Sequence, residues 1–351
     1  MKPLVVAVIG TGRWGINHVR VLSTLKTSKD ISDDFYIDRL VIVDKNVERL
    51  KFVASKYIVD GYYNDVEQML KKENIDATFI IVPTIYHHIV AEKVLPYSHV
   101  FIEKPIASTL ENAQRILDLS KSYNRIVAVG HIERFNPVVI AVKDYLKKIN
   151  EKIVHILGLR IGPGPVGGKT ENLGVAHDLL IHDIDITNML LNSVPTSVFA
   201  RIGFSENFPY ETEIDAIYEY SNKNDVFAYL RTSWKTGPKL KKRYMTIQTF
   251  TNVISFDYIA QTITMERGLK DHKSSGEYID VISSYTSRNI ENISLVSGRK
   301  YEPLLLEIKS FLESIVDNKE PLVSAETGFT ALKCILAALE SAKKKKMVEI
   351  G

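Results

Sequence analysis

Up to about residue 130 the chain alternates short β-branched runs with longer segments in which apolar residues recur every three or four positions. The runs Leu4–Ile9, Leu40–Val43, Ala77–Val82, Val100–Ile102 and Ile126–Val129 are apolar at successive positions, which predicts strands buried on both faces. Helix-period segments lie between them, near 14–25, 46–56, 64–72, 87–95 and 109–122. Such alternation predicts a doubly wound parallel sheet. Two helix starts carry capping signals: Asn64 ahead of Asp65 and Glu67, and Ser108 or Thr109 ahead of Glu111 and Asn112.

Beyond that point the pattern changes. A helix over Val138–Leu146, a strand over Ile153–Ile161, a Gly/Pro loop at 162–168 and a helix at 173–191 come first. Between 195 and 266 the segments VFARIGF, AIYEYS, FAYLRTSW, YMTIQTF, VISFDYI and TITMER alternate apolar and polar residues. They predict a mostly antiparallel sheet whose second face meets solvent or a partner. Helices near 302–317 and 325–345 close the chain, and Lys343–Lys346 suits the negative end of the last one. Two domains are expected, 1–130 and 131–351.

Composition narrows the function classes. With 45 Lys+Arg against 42 Asp+Glu the formal charge is +3, which gives no electrostatic reason to expect a nucleic-acid partner. A single cysteine, Cys334, excludes an intramolecular disulfide and any cysteine-rich metal centre, and fits a reducing compartment. The apolar run Leu4–Ile9 is too short for an export signal, and no stretch reaches the roughly 18–20 apolar residues of a membrane span. The expectation is a cytoplasmic protein that touches no membrane.

The sharpest chemical signal is Gly10-Thr11-Gly12-Arg13-Trp14-Gly15, between a predicted strand and a predicted helix. The first glycine permits the tight turn, the second lets a pyrophosphate approach the backbone, and the third lets helix and strand pack. The helix N-terminus then offers N–H groups to the phosphates. The first domain thus reads as a Rossmann dinucleotide-binding domain, giving an α/β class overall, followed by an α+β domain with a large open sheet. Asp44 ends the second strand, where a carboxylate accepts from an adenosine ribose and favours NAD. It follows Gly15 by 29 residues, against roughly 20 in the usual fingerprint, and the polar stretch Lys26–Asp34 reads as an insertion. Lys45 follows Asp44 and leaves NADP open. A second glycine-rich stretch, Gly162–Thr170, mimics a phosphate loop, but Pro163 stands where a Walker loop needs glycine. It reads as a loop on the substrate side.

Two further clusters carry candidate acid–base chemistry. Glu103-Lys104-Pro105 follows the fifth strand at the carboxyl edge of the sheet, where a lysine can stabilise charge developing on a reacting hydroxyl. In His177-Asp178…His182-Asp183…Asp185, at about 100° per residue, Asp178, His182 and Asp185 fall within about 40° of one helical stripe. A carboxylate one turn ahead of a histidine can orient the imidazole as a general base. A metal site would need a further ligand, and none is assigned.

Together, GTGRWG, IVPTIYHH, FIEKP, VGHIERFNP and the Asp178…His182 pair resemble the glucose–fructose oxidoreductase / inositol dehydrogenase family over nearly the whole chain. Within it, LRIGPGP, TSWKTGPKLKKRYMTI, DYIAQTITMER, EPLLLEIKSFL and PLVSAETGFTALKCILAALES resemble UDP-N-acetylglucosamine 3-dehydrogenases, with departures at GPVGGK and QTFTNVISFD. The resemblance implies a dinucleotide against Gly10–Gly15 and Asp44. It also implies that Pro83, Thr84 and His87 flank the nicotinamide half, with Glu103 and Lys104 near its ribose. Lys104, Asp178 and His182 match the catalytic positions: His182, oriented by Asp178, takes the proton of a ring hydroxyl as hydride leaves for NAD, and Lys104 hydrogen-bonds the same oxygen. His131, Asn136 and Arg160 are candidate sugar contacts beside these. The open sheet would pair with a second subunit in a homodimer or homotetramer. Alternatives are a dehydrogenase of a free polyol or aldose, and a non-enzymatic dinucleotide sensor, which would have little use for Lys104, Asp178 and His182 together.

Overall fold

The computed structural model describes residues 1–28, 34–164, 173–206, 208–221, 225–237, 239–268, 288–295 and 302–351. It divides into two compact units, Met1–Phe135 with Lys300–Lys333, and Asn136–Arg299 with Cys334–Gly351.

In the first unit, β1 (Lys2–Ile9), β2 (Phe35–Val43), β3 (Gly61–Tyr63), β4 (Ala77–Ile80), β5 (His99–Glu103) and β6 (Val127–Gly130) form a sheet in the order 3-2-1-4-5-6. Every neighbouring pair is parallel. The order reverses between β1 and β4, so the crevice at their carboxyl ends is where such sheets take ligands. Connecting helices are α1 (Gly15–Thr27), α2 (Val47–Lys56), α3 (Val66–Lys72), α4 (His87–Val94) and α5 (Leu110–Ser122).

The wide spacing from Gly15 to Asp44 has a plain origin. Helix α1 runs 13 residues and β2 begins at Phe35, five residues ahead of the apolar run that signals it, so little chain remains for an insertion. Residues 29–33 of that joint lie outside the described residues. Asp65, not Asn64, caps α3 by accepting from the Gln68 N–H; Thr109 caps α5 by accepting from Asn112.

The second unit holds α6 (Pro137–Ile149) and α7 (Ile181–Leu191). Its strands are β7 (Ile153–Ile161), β8 (Ser197–Gly203), β9 (Glu213–Tyr220), β10 (Val226–Ser233), β11 (Lys242–Thr249), β12 (Asn252–Asp257), β13 (Thr262–Gly268), β14 (Arg288–Ser294) and β15 (Val348–Glu349). They form one sheet in the order 14-13-12-11-7-10-9-8-15, antiparallel except where β7 meets β10. Alternation sorts its faces: Ile214, Ala216, Tyr218 and Tyr220 of β9 are buried, while Leu157, Phe199, Ile217 and Phe227 stand exposed on the other side.

The two closing helices are α8 (Pro303–Asp317) and α9 (Ala325–Lys344). The first compact unit is not contiguous in sequence, because Lys300–Lys333 group with Met1–Phe135. Leu304, Ile308, Phe311, Leu312 and Ile315 of α8 join the core formed by Leu4, Val6, Val8, Phe79 and Phe101. The Phe311 ring meets Phe79 edge-on at 5.4 Å. Each such side chain contributes about 1.5–3 kcal/mol by burial, so α8 belongs to the first sheet although about 170 residues of chain precede it after β6. No helix among the described residues is long and apolar enough to cross a membrane.

Candidate active site

The glycine loop is built by two glycines the chain itself requires and one it does not. Gly10 has φ +96°, and a Cβ there would lie 2.4 Å from the Ile81 carbonyl oxygen. On Gly15 a Cβ would come 1.9 Å from the Gly10 oxygen. Above Gly12 the nearest atom to a Cβ is Arg49 Nη1 at 3.9 Å, so the space is open to a ligand. Trp14, the N-cap of α1, makes no side-chain capping bond, unlike the caps of α2, α3 and α5, which leaves the helix N-terminus for an anion.

Asp44 closes the loop. Its Oδ2 accepts from the Thr11 N–H at 2.8 Å and the Thr11 hydroxyl at 2.9 Å; its Oδ1 accepts from the Asn46 N–H at 2.9 Å. Arg49 approaches Oδ2 to 3.4 Å. Burial opposes ionisation of Asp44, but these hydrogen bonds and the Arg49 charge outweigh it and hold the carboxyl below its ordinary value. An ionised carboxylate beside an uncapped helix and an open glycine fits NAD.

At the end of β5, Glu103 turns inward. It accepts from the Trp14 indole at 2.6 Å, from His18 Nε2 at 2.9 Å and from the Lys104 N–H at 3.2 Å. His87 is wholly buried, with Nδ1 2.8 Å from the Pro105 oxygen and Nε2 2.8 Å from the Val82 oxygen. Burial pushes its pKa down despite those two carbonyls. Both residues, expected to line the nicotinamide half, spend these polar atoms inside the protein. Pro83 and Thr84 form the turn that leads into α4, where the Tyr86 N–H donates to the Pro83 oxygen. His18 was not singled out from the sequence; its place one turn after Trp14 on α1 is the signal that would have found it. His131 is only 1% exposed.

In the second unit the acid–base helix does not begin as an α-helix. Ala176–Leu180 form a π turn that runs into α7. A stripe laid out at about 100° per residue therefore breaks at its start: Asp178 is exposed, whereas His182 and Asp185 are buried. Such turns recur at functional sites because they re-aim side chains. Two residues absent from the sequence reading hold this turn. Trp234 donates its indole N–H to Asp178 Oδ2 at 3.3 Å, and Glu211 Oε1 accepts from the Ala176 N–H at 3.1 Å. Burial pushes the Glu211 carboxyl up, and Gly174 makes room for it, since a Cβ there would lie 2.0 Å from Glu211 Oε1. The loop start at Gly162 is tied to β10, its N–H donating to the Ser233 oxygen at 3.0 Å. The rest of GPVGGK, with Lys169, lies outside the described residues.

Arg160 and Asn136 prove to be internal. Arg160 is 1% exposed, donates from Nε and Nη2 to Asp183 Oδ1 at 2.9 and 2.8 Å, and stacks over Tyr258 at 4.8 Å. The Asn136 side chain caps α6 through the Val138 N–H and bonds Gln261 and the Tyr258 oxygen. These bonds lie within the second unit.

Residues 4–131 match the NAD-binding Rossmann fold of an oxidoreductase family, and residues 169–350 match the C-terminal alpha/beta domain of the same family. The chain belongs to this family, the glucose–fructose oxidoreductase / inositol dehydrogenase oxidoreductases. It is an NAD(P)-dependent dehydrogenase that acts on CH–OH groups, with an NAD-binding Rossmann domain. The myo-inositol 2-dehydrogenase of Thermotoga maritima is 22% identical over 98% of each chain. The structure of UDP-N-acetylglucosamine 3-dehydrogenase from Acidithiobacillus ferrooxidans matches with a TM-score of 0.79 at 22% identity, over 98% of this chain and 99% of that one. Levoglucosan dehydrogenase with NADH and L-sorbose matches with a TM-score of 0.86 at 17% identity over 100% of both. At these identities the structural likeness speaks for the fold.

Proposed function

We propose that this dehydrogenase oxidises a ring hydroxyl of a sugar, the 3-hydroxyl of a UDP-linked N-acetyl sugar. The presence together of Lys104, Asp178 and His182 carries the reading, because a carbinol oxidation needs a proton acceptor, a group to orient it and a donor to the reacting oxygen. His182 takes the hydroxyl proton, Asp178 orients the imidazole, and Lys104 donates to the oxygen as its charge develops. NAD, when bound, accepts the hydride lost from the carbinol carbon.

A basic run supports the nucleotide-linked substrate. Lys239, Lys241, Lys242 and Arg243 lead into β11, and Lys241 Cγ lies 3.5 Å from a Cβ placed on Gly162, bordering the substrate-side loop. A diphosphate suits such a border. Against it stands the free-polyol reading, favoured by the inositol dehydrogenase that aligns over the whole chain. The exposed apolar face of the second sheet supports pairing with another copy, as a dimer or tetramer.

The test incubates the protein with NAD and, separately, UDP-N-acetylglucosamine, its uronic acid, myo-inositol and glucose. Reduced cofactor is followed by absorbance and keto product by mass. Turnover confined to the nucleotide sugars supports the reading; turnover confined to inositol or glucose moves the protein to the polyol branch. Lys104→Ala and His182→Ala are each expected to lower kcat by about 10²-fold or more. NADH binding without turnover on any of the four would return the sensor.

A further inference from the structure

Glu103 is a buried carboxylate for which the reaction sketched above has no use. Its residue is 9% exposed, and the carboxylate is walled in by its neighbours. The Trp14 indole and His18 Nε2 donate to Oε1, the Lys104 N–H donates to Oε2, and Gly130 lies on the remaining side. A Cβ on Gly130 would come 2.9 Å from Oε2, so the neighbouring strand is shaped to admit the carboxylate. His18 is wholly buried among aromatic rings, 5.5 Å from Phe101 and 6.0 Å from Phe79, and has no room to follow a moving partner. Two of the three donors sit on the first turn of α1, the seat of the dinucleotide phosphates, and the third is the backbone of Lys104.

We infer that Glu103 is a positioning residue: it fixes the Lys104 backbone to the first turn of α1 and acts on the oxidation through that lysine, without touching the dinucleotide. On the far side His87 meets the Pro105 oxygen at 2.8 Å, so the segment bearing Lys104 is gripped from both flanks. The ion is kept as an ion: burial would raise the Glu103 carboxyl, but the hydrogen bonds from His18 and Trp14 and the nearby Lys104 charge hold it down. The inference rests on Lys104 being the lysine that donates to the reacting oxygen.

Three variants test it on the full-length enzyme: Glu103→Gln, Gly130→Ala and the two combined, with Lys104→Ala alongside. Glu103→Gln keeps the shape of the side chain but turns an amide donor toward a backbone N–H. Gly130→Ala changes no polar group and presses the carboxylate off its donors. Each single variant is expected to lower kcat by about tenfold or more, with the sugar KM and the NADH Kd within about threefold of wild type. Because both act through one carboxylate, the combined variant should be no slower than Glu103→Gln alone. NADH affinity falling in step with kcat would overturn the inference in favour of direct cofactor contact. So would unchanged kcat in both single variants, or losses that multiply when combined. If Glu103→Gln fails to fold, Gly130→Ala decides by the same split of kcat against Kd. Full activity in Lys104→Ala would overturn the reading beneath; loss there with Glu103→Gln at wild-type speed would remove the inference alone.

Discussion

The two units treat polar side chains near their sites differently. In the first, the groups around the cofactor loop are locked into one another. Asp44 takes two bonds from Thr11, Glu103 takes Trp14 and His18, and His87 lies between two carbonyl oxygens. In the second, the exposed member is Asp178, lifted by a π turn and met by a tryptophan, while Arg160 and Asn136 are drawn inside. A cofactor common to many reactions can be met by a backbone loop whose needs are conformational. A substrate has to be met by side chains, and which of them turn outward depends on how one turn of helix is wound.

Substitutions at the glycines should break the contrast most strongly. In Gly15→Ala a methyl would sit 1.9 Å from the Gly10 oxygen, so loss of NADH binding is expected together with more than about 3 kcal/mol of stability. Gly12→Ala meets nothing nearer than 3.9 Å; it should leave Tm unchanged and weaken NADH by about tenfold, roughly 1.4 kcal/mol. Thermal melts beside NADH titrations separate the two, and equal melts would mean that the loop adapts.

Next comes Arg160→Ala, which leaves the buried Asp183 without its guanidinium. A loss of about 3–5 kcal/mol in unfolding free energy is expected, with an unaltered sugar KM in whatever remains folded. A raised KM with a normal melt would restore Arg160 as a sugar contact. Trp234→Phe keeps an aromatic ring and removes the indole N–H from Asp178, worth about 1 kcal/mol, so kcat should fall several-fold while NADH affinity holds.

The smallest effect is confined to the first unit. His99 is pushed from 6.5 to about 4 by burial, then by Arg125 and Lys2, and its Nδ1 accepts from the Ile126 N–H at 3.0 Å. The unfolded chain binds a proton near 6.5 and the folded one only near 4, so stability should be flat above pH 6.5 and fall as pH drops toward 4. Because the ring is partly exposed, the loss should be of order 1 kcal/mol. Urea unfolding at several pH values should lose that slope in His99→Gln.

Much of the first unit was legible because its demands are local. A glycine at φ +96°, a run of β-branched residues buried on both faces and a carboxylate at a strand tip each announce themselves within a few residues. In the second unit, alternation marked each of the strands β8 to β13, but neither their order nor the parallel pairing of β7 with β10. Periodicity showed that α8 is amphipathic; only the packed core decided that it covers the first sheet. At Asp178 the sequence named the residue, and the π turn decided where it points.

By itself, then, the sequence determined the glycine loop and the strand–helix alternation, and it is the ground on which the set Lys104, Asp178 and His182 is proposed, because propensity, periodicity and side-chain chemistry belong to the residues. The tertiary structure decided that Arg160, Asn136, His87 and Glu103 bond inward and that α8 returns to the first sheet. Burial and hydrogen-bond partners come from segments tens to hundreds of residues away, and no local pattern encodes them.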